Sequence, residues 1–303
     1  MNKTTPYHLL IPTRTKILNF FRRFFIFSGL DKGLSGLTKN KTASSFFVKL
    51  IPPNYLYKPG TIRKALLNGV LFKTDVSDTV GHNVYFGIKD PGQDNLFKLA
   101  RPGITVMDIG TNIGLTALTF AKIVGDNGKV FGFEPDPYNH SKAAINKSLN
   151  NFKALSLYNI GLAEKEGTAS LFNVNATNRG MLRILRDDGN TKDLDKTVVN
   201  LTTLDRFVEE HAIQKIDLMK IDVEGYELNV LRGASHTLRV HKPVLFIELD
   251  DYNLREQGAS PSELIGYLQS FGYSINDAVS NQHLNEGSAL SNCHIDIICR
   301  ISG

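Results

Sequence analysis

The chain has 303 residues, of which 42% are hydrophobic and 21% charged, and its formal net charge is +5. These values are those of a folded globular protein with one large domain, or one domain and an appendage. The two cysteines, Cys293 and Cys299, exclude a cysteine-rich disulfide or metal-binding scaffold. A reduced, cytoplasmic protein is therefore expected.

Positive charge is concentrated near the N-terminus. Residues 1–64 contain twelve Lys and Arg residues and one acid, Asp31, so this segment carries +11 and the rest of the chain −6. We predict a basic arm and linker over residues 1–60, attached to a mildly acidic main domain over residues 61–303. Because an acidic domain repels phosphate, no nucleic-acid partner is expected.

Residues 15–27 of this arm, TKILNFFRRFFIF, are predicted to form an amphipathic helix. The segment is too short to span a membrane, and Arg22 and Arg23 interrupt any signal-peptide core. Two interpretations are open: the helix lies on an anionic membrane, at its inner face, or it packs on the main domain or a second subunit. Residues 29–45 are expected to be a linker. The predicted apolar face is Ile17, Phe20, Phe21, Phe24 and Phe25, and the predicted polar face is Lys16, Asn19, Arg22 and Arg23.

From about residue 100, short β-rich runs alternate with helical segments. Five strands separated by helices are predicted, followed by two strands without a long helix between them, which are expected to be antiparallel. The alternation predicts an α/β fold with a doubly wound, mainly parallel sheet. The helix after the second strand is expected to bury Tyr138, Ile145 and Leu149. The predicted strands are 104–109, 130–133, 155–160, 216–221, 244–249, 273–275 and 295–301, and helices are predicted to begin near residues 115, 137, 227 and 261.

Carboxylates end most of the predicted parallel strands. Right-handed crossovers place the carboxyl ends of such strands along one edge of the sheet, where ligands bind. The sequence therefore predicts a ligand site at this edge. The residues that end the five strands are Asp108 and Gly110, Glu134, Gly161 and Leu162, Asp222 and Glu224, and Glu248 and Asp250.

The first of these strands ends in VMDIGTNIG, residues 106–114. A dinucleotide site would have G-x-G-x-x-G facing a pyrophosphate, which the carboxylate of Asp108 would repel. S-adenosylmethionine carries a sulfonium and an ammonium group and no phosphate, so it suits an acidic turn. Gly110 would let the backbone approach the ligand closely. Glu134 is expected to accept the ribose hydroxyls, a feature that NAD-binding proteins share.

Five blocks within residues 100–250 resemble the FkbM family of S-adenosylmethionine-dependent methyltransferases: VMDIGTNIGLTALTFA, VFGFEPDP, TTLDRF, IDLMKIDVEGYELNVLRGA and PVLFIEL. The resemblance implies a Rossmann-like class I methyltransferase fold of seven strands with an inserted antiparallel strand. It implies methyl transfer to a hydroxyl oxygen of a sugar, glycolipid or related natural product. It also implies that a methionine-side loop is formed by Asp108, Gly110, Asn112 and Gly114, that Glu134 holds the ribose in a turn shaped by Pro135 and Asp136, and that Gly161 and Leu162 flank the adenine. Thr111 departs from the alanine that is more frequent in the family.

The block KIDVEGYE, residues 220–227, places Lys220, Asp222 and Glu224 on one side of an extended strand end. Methyl transfer to an alcohol requires alignment of donor and acceptor and removal of the hydroxyl proton. Two routes are open. In one, Asp222 or Glu224 acts as the general base. In the other, Asp222 and Glu224, together with Glu248, hold Mg²⁺. Lys220 could pair with one of these acids and only shape the site, and the acids could simply support a helix N-terminus.

Residues 173–196 are polar and are predicted to form a lid over the acceptor, with contacts from Asn178, Arg179 and Gly180. The sequence leaves two other functions to consider. One is a membrane-tethered scaffold of the same fold without activity. The other is an NAD-dependent oxidoreductase, against which the spacing of the glycine turn and Asp108 argue. No oligomeric state is predicted.

Overall fold

The computed structural model describes residues 12–173, 182–184 and 195–301. The chain divides into two units, one of Met1–Leu67 with Lys73–Lys89 and the other of Asn68–Phe72 with Asp90–Gly303. The expected division into an arm over residues 1–60 and a domain over residues 61–303 stays a prediction. The lid residues Asn178, Arg179 and Gly180 lie outside the described residues.

Short helices and a two-stranded sheet occupy the N-terminal part of the chain. These elements are α1 (Thr13–Ser28), α2 (Asp31–Thr38), α3 (Phe46–Leu50), β1 (Ile62–Leu67), β2 (Val70–Asp75) and α4 (Thr79–Phe86). The prediction of a linker over residues 29–45 is wrong for the residues that form α2. Thr38 Oγ1 donates to the carbonyl of Phe86 at 2.6 Å and ties the end of α2 to α4. This tertiary contact stabilises a helix whose two glycines, Gly33 and Gly36, weaken it locally.

Helix α1 confirms the helix predicted over residues 15–27, but its attachment to the N-terminal unit is polar. Asn19 is only 7% exposed. Its Nδ2 donates to the hydroxyl of Tyr55 at 2.9 Å. Arg22 donates to Asn19 Oδ1 at 3.1 Å and also to the carbonyl of Lys49. Most of the predicted apolar face is exposed, and Phe25 is half-buried. The exposed apolar residues of α1 are Ile17, Leu18, Phe20, Phe21, Phe24 and Phe27.

The second unit holds the main sheet. Its helices are α5 (Pro91–Leu99), α6 (Leu115–Val124), α7 (Pro137–Ser148), α8 (Leu204–Glu210), α9 (Glu227–Arg232), α10 (Ser235–His241), α11 (Asp251–Glu256) and α12 (Pro261–Gln269). Its strands are β3 (Thr105–Ile109), β4 (Lys129–Phe133), β5 (Leu155–Tyr158), β6 (Gly161–Leu162), β7 (Gly167–Asn173), β8 (Leu182–Ile184), β9 (Lys196–Thr202), β10 (Leu218–Ile221), β11 (Val244–Asp250), β12 (Tyr273–Asp277), β13 (His283–Leu284) and β14 (His294–Ile301).

The main sheet has the strand order β13-β12-β14-β11-β10-β3-β4-β5. The five strands from β11 to β5 are parallel to their neighbours, and β14 is inserted antiparallel between β11 and β12. This topology confirms the predicted doubly wound, mainly parallel sheet and the antiparallel insertion. The two-residue strand β13 adds an eighth strand to the seven that were predicted.

A second sheet has the order β6-β9-β7-β8. Strands at residues 167–173 and 196–202 were not predicted from the sequence. Antiparallel pairing of β7 with β9 joins these residues, from Gly167 opposite Leu201 to Phe172 opposite Lys196. The ends of the segment predicted as a lid are therefore fixed by a β-ladder.

Two helix predictions need correction. Helix α7 buries Asn139, Ala143 and Asn146, whereas Tyr138 and Ile145, predicted to face inward, are exposed. The predicted continuous helix from residue 227 to about 238 is two helices, α9 and α10. A Cβ on Gly233, between them, would lie 1.9 Å from the carbonyl oxygen of Ala163. Close backbone packing at Gly233 therefore accompanies the break.

The sheet core is apolar and is formed from both sides of the central strands. Strands β3, β10 and β11 supply Met107, Ile221 and Ile247, each no more than 1% exposed. From β3 the chain continues outward to β4 and β5, and β10 and β11 lie on the other side of β3. The point where the strand order reverses is therefore between β3 and β10, and the ligand site is expected at their carboxyl ends. Within the described residues, no helix has the length and apolarity needed to cross a bilayer.

Candidate active site

The loop after β3 passes very close to the strand end of β10. Gly110 has φ +84°, and a Cβ there would lie 1.8 Å from the carbonyl oxygen of Asp222. Asn112 and Gly114 also have positive φ, at +51° and +93°. Since side chains other than glycine and asparagine are disfavoured in this region, the D-x-G-x-N-x-G spacing matches the backbone path of the loop.

Asp108 is fully buried and its carboxylate faces the protein interior. Thr116 Oγ1 donates to it at 2.8–2.9 Å and Thr111 Oγ1 at 3.1 Å. Burial raises the pKa of Asp108, while the charge of Lys220 and the two threonine hydroxyls act in the opposite direction. Asp108 thus fixes the loop and the start of α6. The bond from Thr111 is one that the alanine more frequent at this position could not make.

Glu134 directly follows β4 and connects two loops. Its Oε2 accepts the backbone N–H of Asn112 at 2.7 Å, and its Oε1 accepts that of Asp136 at 2.9 Å. Burial raises the pKa of Glu134 to about 7. Asp136 in turn caps α7 by accepting the N–H of Asn139 at 3.0 Å. Each oxygen of Glu134 keeps a lone pair, so the carboxylate can still accept hydroxyl groups of a ribose.

The other residues predicted to contact the cofactor lie nearby. A Cβ on Gly161 would be 3.4 Å from Cβ of Pro135, so the start of β6 lies beside the turn that follows Glu134. Leu162 is 4% exposed and belongs to the hydrophobic core. The residues present fit S-adenosylmethionine because Glu134 keeps lone pairs for ribose hydroxyls, and because Asp222, whose side chain is 43% exposed, lies beside the sharp turn of Gly110 and there suits a cationic group and repels phosphate. The individual contacts stay predictions.

Lys220 joins the two central strands. It lies opposite Asp108 in the parallel register of β10 and β3. Its Nζ is 3.1 Å from Asp222 Oδ2 and 3.8 Å from Asp108 Oδ1, and it donates to the carbonyl of Gly110 at 2.8 Å. Burial lowers the pKa of Lys220, but Asp222 and Asp108 outweigh burial and the pKa is raised. Lys220 is therefore a buried cation that fixes the loop of Gly110.

Three candidate catalytic residues converge at this edge. Oxygen atoms of Asp222, Glu224 and Glu248 all lie within 4.8 Å of one another. Asp222 is bonded through its backbone N–H to the carbonyl of Ile109. Glu248 comes from the neighbouring strand β11. The structure thus brings together the three carboxylates that the sequence singled out.

Glu224 is oriented by two neighbouring side chains. Its backbone has φ +54°, an uncommon conformation for a glutamate. Asn253 Nδ2 donates to its Oε2 at 3.1 Å, and Arg183 Nη2 is 3.9 Å from the same oxygen. Burial, followed by the charge of Asp222, raises the pKa of Glu224 to about 7, and Arg183 acts in the opposite direction.

Glu248 and Glu227 have acidic surroundings. Burial and the charges of Asp222, Glu224, Glu227 and Asp296 raise the pKa of Glu248 well above its ordinary value. Glu227 Oε1 accepts the N–H groups of Val223 and Gly225 at 3.0 and 3.1 Å, and burial raises its pKa to about 7. Glu227 therefore stabilises the turn before α9.

Three further residues of the site, Asp296, Asn253 and Arg183, were not predicted from the sequence. Asp296 lies opposite Glu248 in the β11–β14 register. Burial and nearby acids raise its pKa to about 6. Its signal in the sequence was an acid between two isoleucines of a predicted strand. Asn253 and Arg183 have no comparable signal, because only tertiary packing brings α11 and β8 beside Glu224.

Comparison with known proteins identifies the family. A family profile described as "Methyltransferase FkbM domain" matches residues 108–275, more than half of the chain. A similar curated protein is "2-O-methyltransferase NoeI" of Sinorhizobium fredii, 23% identical over 195 residues, which are 57% of this chain and 74% of that protein. Another is "Hexuronic acid methyltransferase AglP" of Haloferax volcanii, 27% identical over 144 residues, 48% of this chain and 55% of that protein.

A solved structure with weak similarity is a methyltransferase FkbM from Methylobacillus flagellatus, with a TM-score of 0.41 and 15% identity over 72% of this chain and 52% of that one. The chain thus spans only about half the length of two of these three proteins. The match to the family profile favours methyl transfer over the NAD-dependent alternative. The chain belongs to the FkbM family and is an S-adenosylmethionine-dependent methyltransferase.

Proposed function

We propose that this protein transfers a methyl group to a hydroxyl oxygen of a sugar or of a sugar-containing acceptor such as a glycolipid or related natural product. Two relatives support the acceptor class, since their names specify 2-O-methyl transfer and a hexuronic acid. The observation that carries the proposal is Glu224, a carboxylate with a pKa of about 7 that Asn253 orients at the carboxyl edge of the sheet.

S-adenosylmethionine supplies an electrophilic methyl group when bound. Glu134 would hold the ribose, with Pro135 and Asp136 shaping its turn. Asp108 keeps the loop of Gly110, Asn112 and Gly114 in place through its threonine and lysine contacts. The backbone at Gly161 and Leu162 would flank the adenine. In this arrangement the chain contributes binding and alignment rather than covalent chemistry.

Glu224 would accept the proton of the acceptor hydroxyl. An aliphatic alcohol does not ionise at neutral pH, so the proton must leave as the new carbon–oxygen bond forms. A base works best when its pKa lies near the working pH, and the pKa of about 7 meets this condition. Asp222, paired with Lys220, and Glu248 would shape the charge around the base.

A metal-assisted form of the same reaction is a second candidate. The oxygen atoms of Asp222, Glu224 and Glu248 lie close enough to share one ion. Oxygen ligands of this kind suit Mg²⁺, which would lower the pKa of the acceptor hydroxyl. Activity that survives EDTA would exclude this form, whereas activity lost with EDTA and restored by Mg²⁺ would favour it over Glu224 as the sole base.

The test is transfer of a labelled methyl group from S-adenosylmethionine to a panel of glycosides, with product analysis to locate the methylated atom. Glu224→Gln should lower kcat by roughly 10²–10⁴-fold and leave binding of S-adenosylhomocysteine intact. In the parent the rate should rise with pH through about 7, because the base must be ionised. Glu256→Gln, at an exposed position, is the control. Methyl transfer to nitrogen or carbon, or unchanged kcat in Glu224→Gln, would overturn the proposal, and absence of all transfer would favour the inactive scaffold.

We also propose that α1 binds the surface of an anionic membrane, the inner face in a cell. The phenylalanines Phe20, Phe24 and Phe27 are 72%, 62% and 92% exposed. Because Asn19 and Arg22 form the attachment of α1 to its own unit, the phenylalanines point away from it. Exposed Lys16 and Arg23 lie on the same helix. Apolar and basic side chains together match the interface of an anionic bilayer.

Vesicle co-sedimentation tests this contact. The protein should bind phosphatidylcholine vesicles that contain phosphatidylglycerol and should bind less at high salt. Replacing Phe20, Phe21, Phe24 and Phe27 by serine should abolish binding, whereas the control Val240→Ser with Val279→Ser should not, although both valines are exposed. Equal binding of the two variants, or a stable dimer through α1 in solution, would contradict the membrane contact.

A further inference from the structure

Tyr252 is an exposed aromatic residue at the same edge of the sheet as Glu224. It is the second residue of α11 and is 63% exposed. Its neighbour in the chain, Asn253, is 4% exposed and donates to Glu224 Oε2 at 3.1 Å. Consecutive residues of one helix therefore orient the proposed base and present an aromatic ring beside it.

Arg183 connects the ring to the base. Its guanidinium carbon lies 5.6 Å from the centroid of the Tyr252 ring, within the range of a cation–π contact. Its Nη2 is 3.9 Å from Glu224 Oε2. Gln257, the residue after α11, donates to the carbonyl of Ile184 at 2.5 Å and so holds β8 beside this helix. Arg183 thus fixes the Tyr252 ring relative to Glu224.

The burial of Arg183 is costly for the fold. The residue is 8% exposed, and among the described residues its Nε has no hydrogen-bond acceptor. A buried guanidinium that is incompletely paired lowers stability, so such a residue calls for an explanation other than stability. Its contacts to the ring and to the proposed base suggest that this explanation is the placement of Tyr252.

Polar side chains are available at the same edge of the sheet. Besides Glu224 and Asn253, His294 Nδ1 and Asp250 Oδ2 lie 2.8 Å apart, and the His294 side chain is 70% exposed. A pyranose has hydroxyl groups around its rim and a C–H face that is apolar. Such a ligand requires two kinds of contact. An aromatic ring can cover the C–H face, and carboxylate, amide and imidazole groups can bind the hydroxyls.

We propose that Tyr252 is the platform of the acceptor subsite, on which the C–H face of a pyranose stacks while one of its hydroxyls reaches Glu224. The inference rests on the proposed function, because it names the acceptor-binding residue of that reaction. Arg183 is a positioning residue, which holds the ring from the side opposite to the sugar. The sugar would then be fixed by Tyr252 and the polar groups rather than by a deep cavity.

Binding can be followed without catalysis, because the chain contains no tryptophan. In Tyr252→Trp, all tryptophan emission comes from the platform. Titration with methyl pyranosides and with glucuronide should give a saturable change in emission, whereas the acyclic polyol sorbitol, which lacks a rigid C–H face, should not. Tyr138→Trp is the matched control, since Tyr138 is also exposed and has a cation, Lys142 Nζ, 4.9 Å from its ring centroid. It should not respond to sugars.

Kinetics supply the second measurement, with whichever glycoside of the panel is methylated. Tyr252→Ala should raise the acceptor KM roughly tenfold or more, the loss expected when the apolar area of a pyranose face stays in water. Its kcat should change little, and Tyr252→Phe should restore the parent KM because the hydroxyl is not needed for stacking. Arg183→Leu should also raise KM, with a smaller effect than Tyr252→Ala.

The two measurements separate the platform from the proposed function. A sugar response in Tyr252→Trp without methylation of any glycoside would support the platform and overturn the function. Methylation of a glycoside with an unchanged acceptor KM in Tyr252→Ala would support the function and overturn the platform. If no glycoside binds and none is methylated, both the platform and the proposed function are overturned.

Discussion

Two regions of this molecule depart from the usual distribution of polar and apolar residues, in opposite directions. At the carboxyl edge of the sheet, charged groups are buried: Asp108, Lys220 and Glu227 are at most 4% exposed. On α1, apolar groups are exposed, and Asn19 is buried instead. The first arrangement raises the pKa of several carboxylates, which suits acid–base chemistry, and the second leaves an apolar surface free, which suits binding. Departures of this kind are typical of functional sites.

The regions also differ in how tightly the backbone is held. At the sheet edge, Gly110 and Gly225 lie against carbonyl groups of other segments, so that no side chain fits there. In the helical N-terminal region, a Cβ on Gly29, Gly33 or Gly36 would meet nothing within 4 Å. Buried charges require fixed partners, whereas exposed apolar side chains need only a helix that presents them. The following predictions test this difference, from the largest expected effect to the smallest.

Gly225→Ala should have the largest effect on stability. The new Cβ would lie 2.3 Å from the carbonyl oxygen of Asn253, at a backbone φ of +101°. We expect a loss of about 3 kcal/mol or more in the free energy of unfolding, because strain and a backbone clash add. Urea unfolding measures it. The control is Gly258→Ala, where φ is +75° and nothing lies within 4 Å, and which should lose about 1 kcal/mol. Equal losses would mean that the close approach at Gly225 is relieved easily.

Glu227→Gln should stabilise the ligand-free protein at alkaline pH. Burial raises the pKa of Glu227 from 4.5 to about 7, so the folded state holds a proton that the unfolded state has released. The contribution of Glu227 to the free energy of unfolding of the parent is therefore lost as pH rises from about 4.5 through about 7. Above that range the contribution does not change further. Glutamine does not ionise, so the variant should gain up to roughly 3 kcal/mol at pH 8 and nothing at pH 4.

Thermal unfolding of both proteins across this pH range measures the effect of Glu227→Gln. Glu256→Gln, at an exposed position, should leave the pH dependence unchanged. A variant that is less stable than the parent at pH 8 would show that the charged form of Glu227 is needed for the two N–H bonds it accepts from Val223 and Gly225.

Asn19→Ala should have the smallest of these effects on stability. It should nevertheless cost more than the loss of a phenylalanine from α1, whereas apolar positions of a helix usually contribute more to stability than polar ones. The change removes the bond from Asn19 to the Tyr55 hydroxyl and the acceptor of Arg22, so we expect a loss of about 1 kcal/mol. Phe20→Ser, at a position that is 72% exposed, should cost less. Hydrogen exchange of the α1 amides measures both. A larger effect of the phenylalanine change would indicate that the apolar face is covered.

The sequence predicted the framework of the sheet well. Each parallel strand of the main sheet coincides closely with a mainly apolar run. The central strands, such as β10, are buried on both faces and therefore need hydrophobic residues at most positions. The start of α12 near residue 261 was also predicted correctly, and there Ser260 caps the helix by accepting the N–H of Glu263. These features depend on neighbours in the chain.

The partners of the site residues could not be predicted in the same way. The sequence around Glu224 does not indicate that Arg183 lies beside it. The two residues are 41 positions apart, with Arg183 in β8 and Glu224 in the loop after β10. The buried face of α7 was predicted wrongly because Asn146 finds an internal partner, donating to the carbonyl of Ile113 at 2.9 Å. A polar residue is buried when the fold supplies its hydrogen bond, which periodicity cannot reveal.

By itself the sequence determined the order of strands and helices, the acidic residues at the strand ends and the amphipathic pattern of α1, since each depends on short-range periodicity and residue chemistry. Only the tertiary structure decided which of these residues meet and which face of α1 is free. Crossovers in the main sheet bring Lys220 against Asp108 and Glu248 beside Glu224. The pKa of Glu224 follows from that assembly, because burial and neighbouring charges arise only when distant segments pack together.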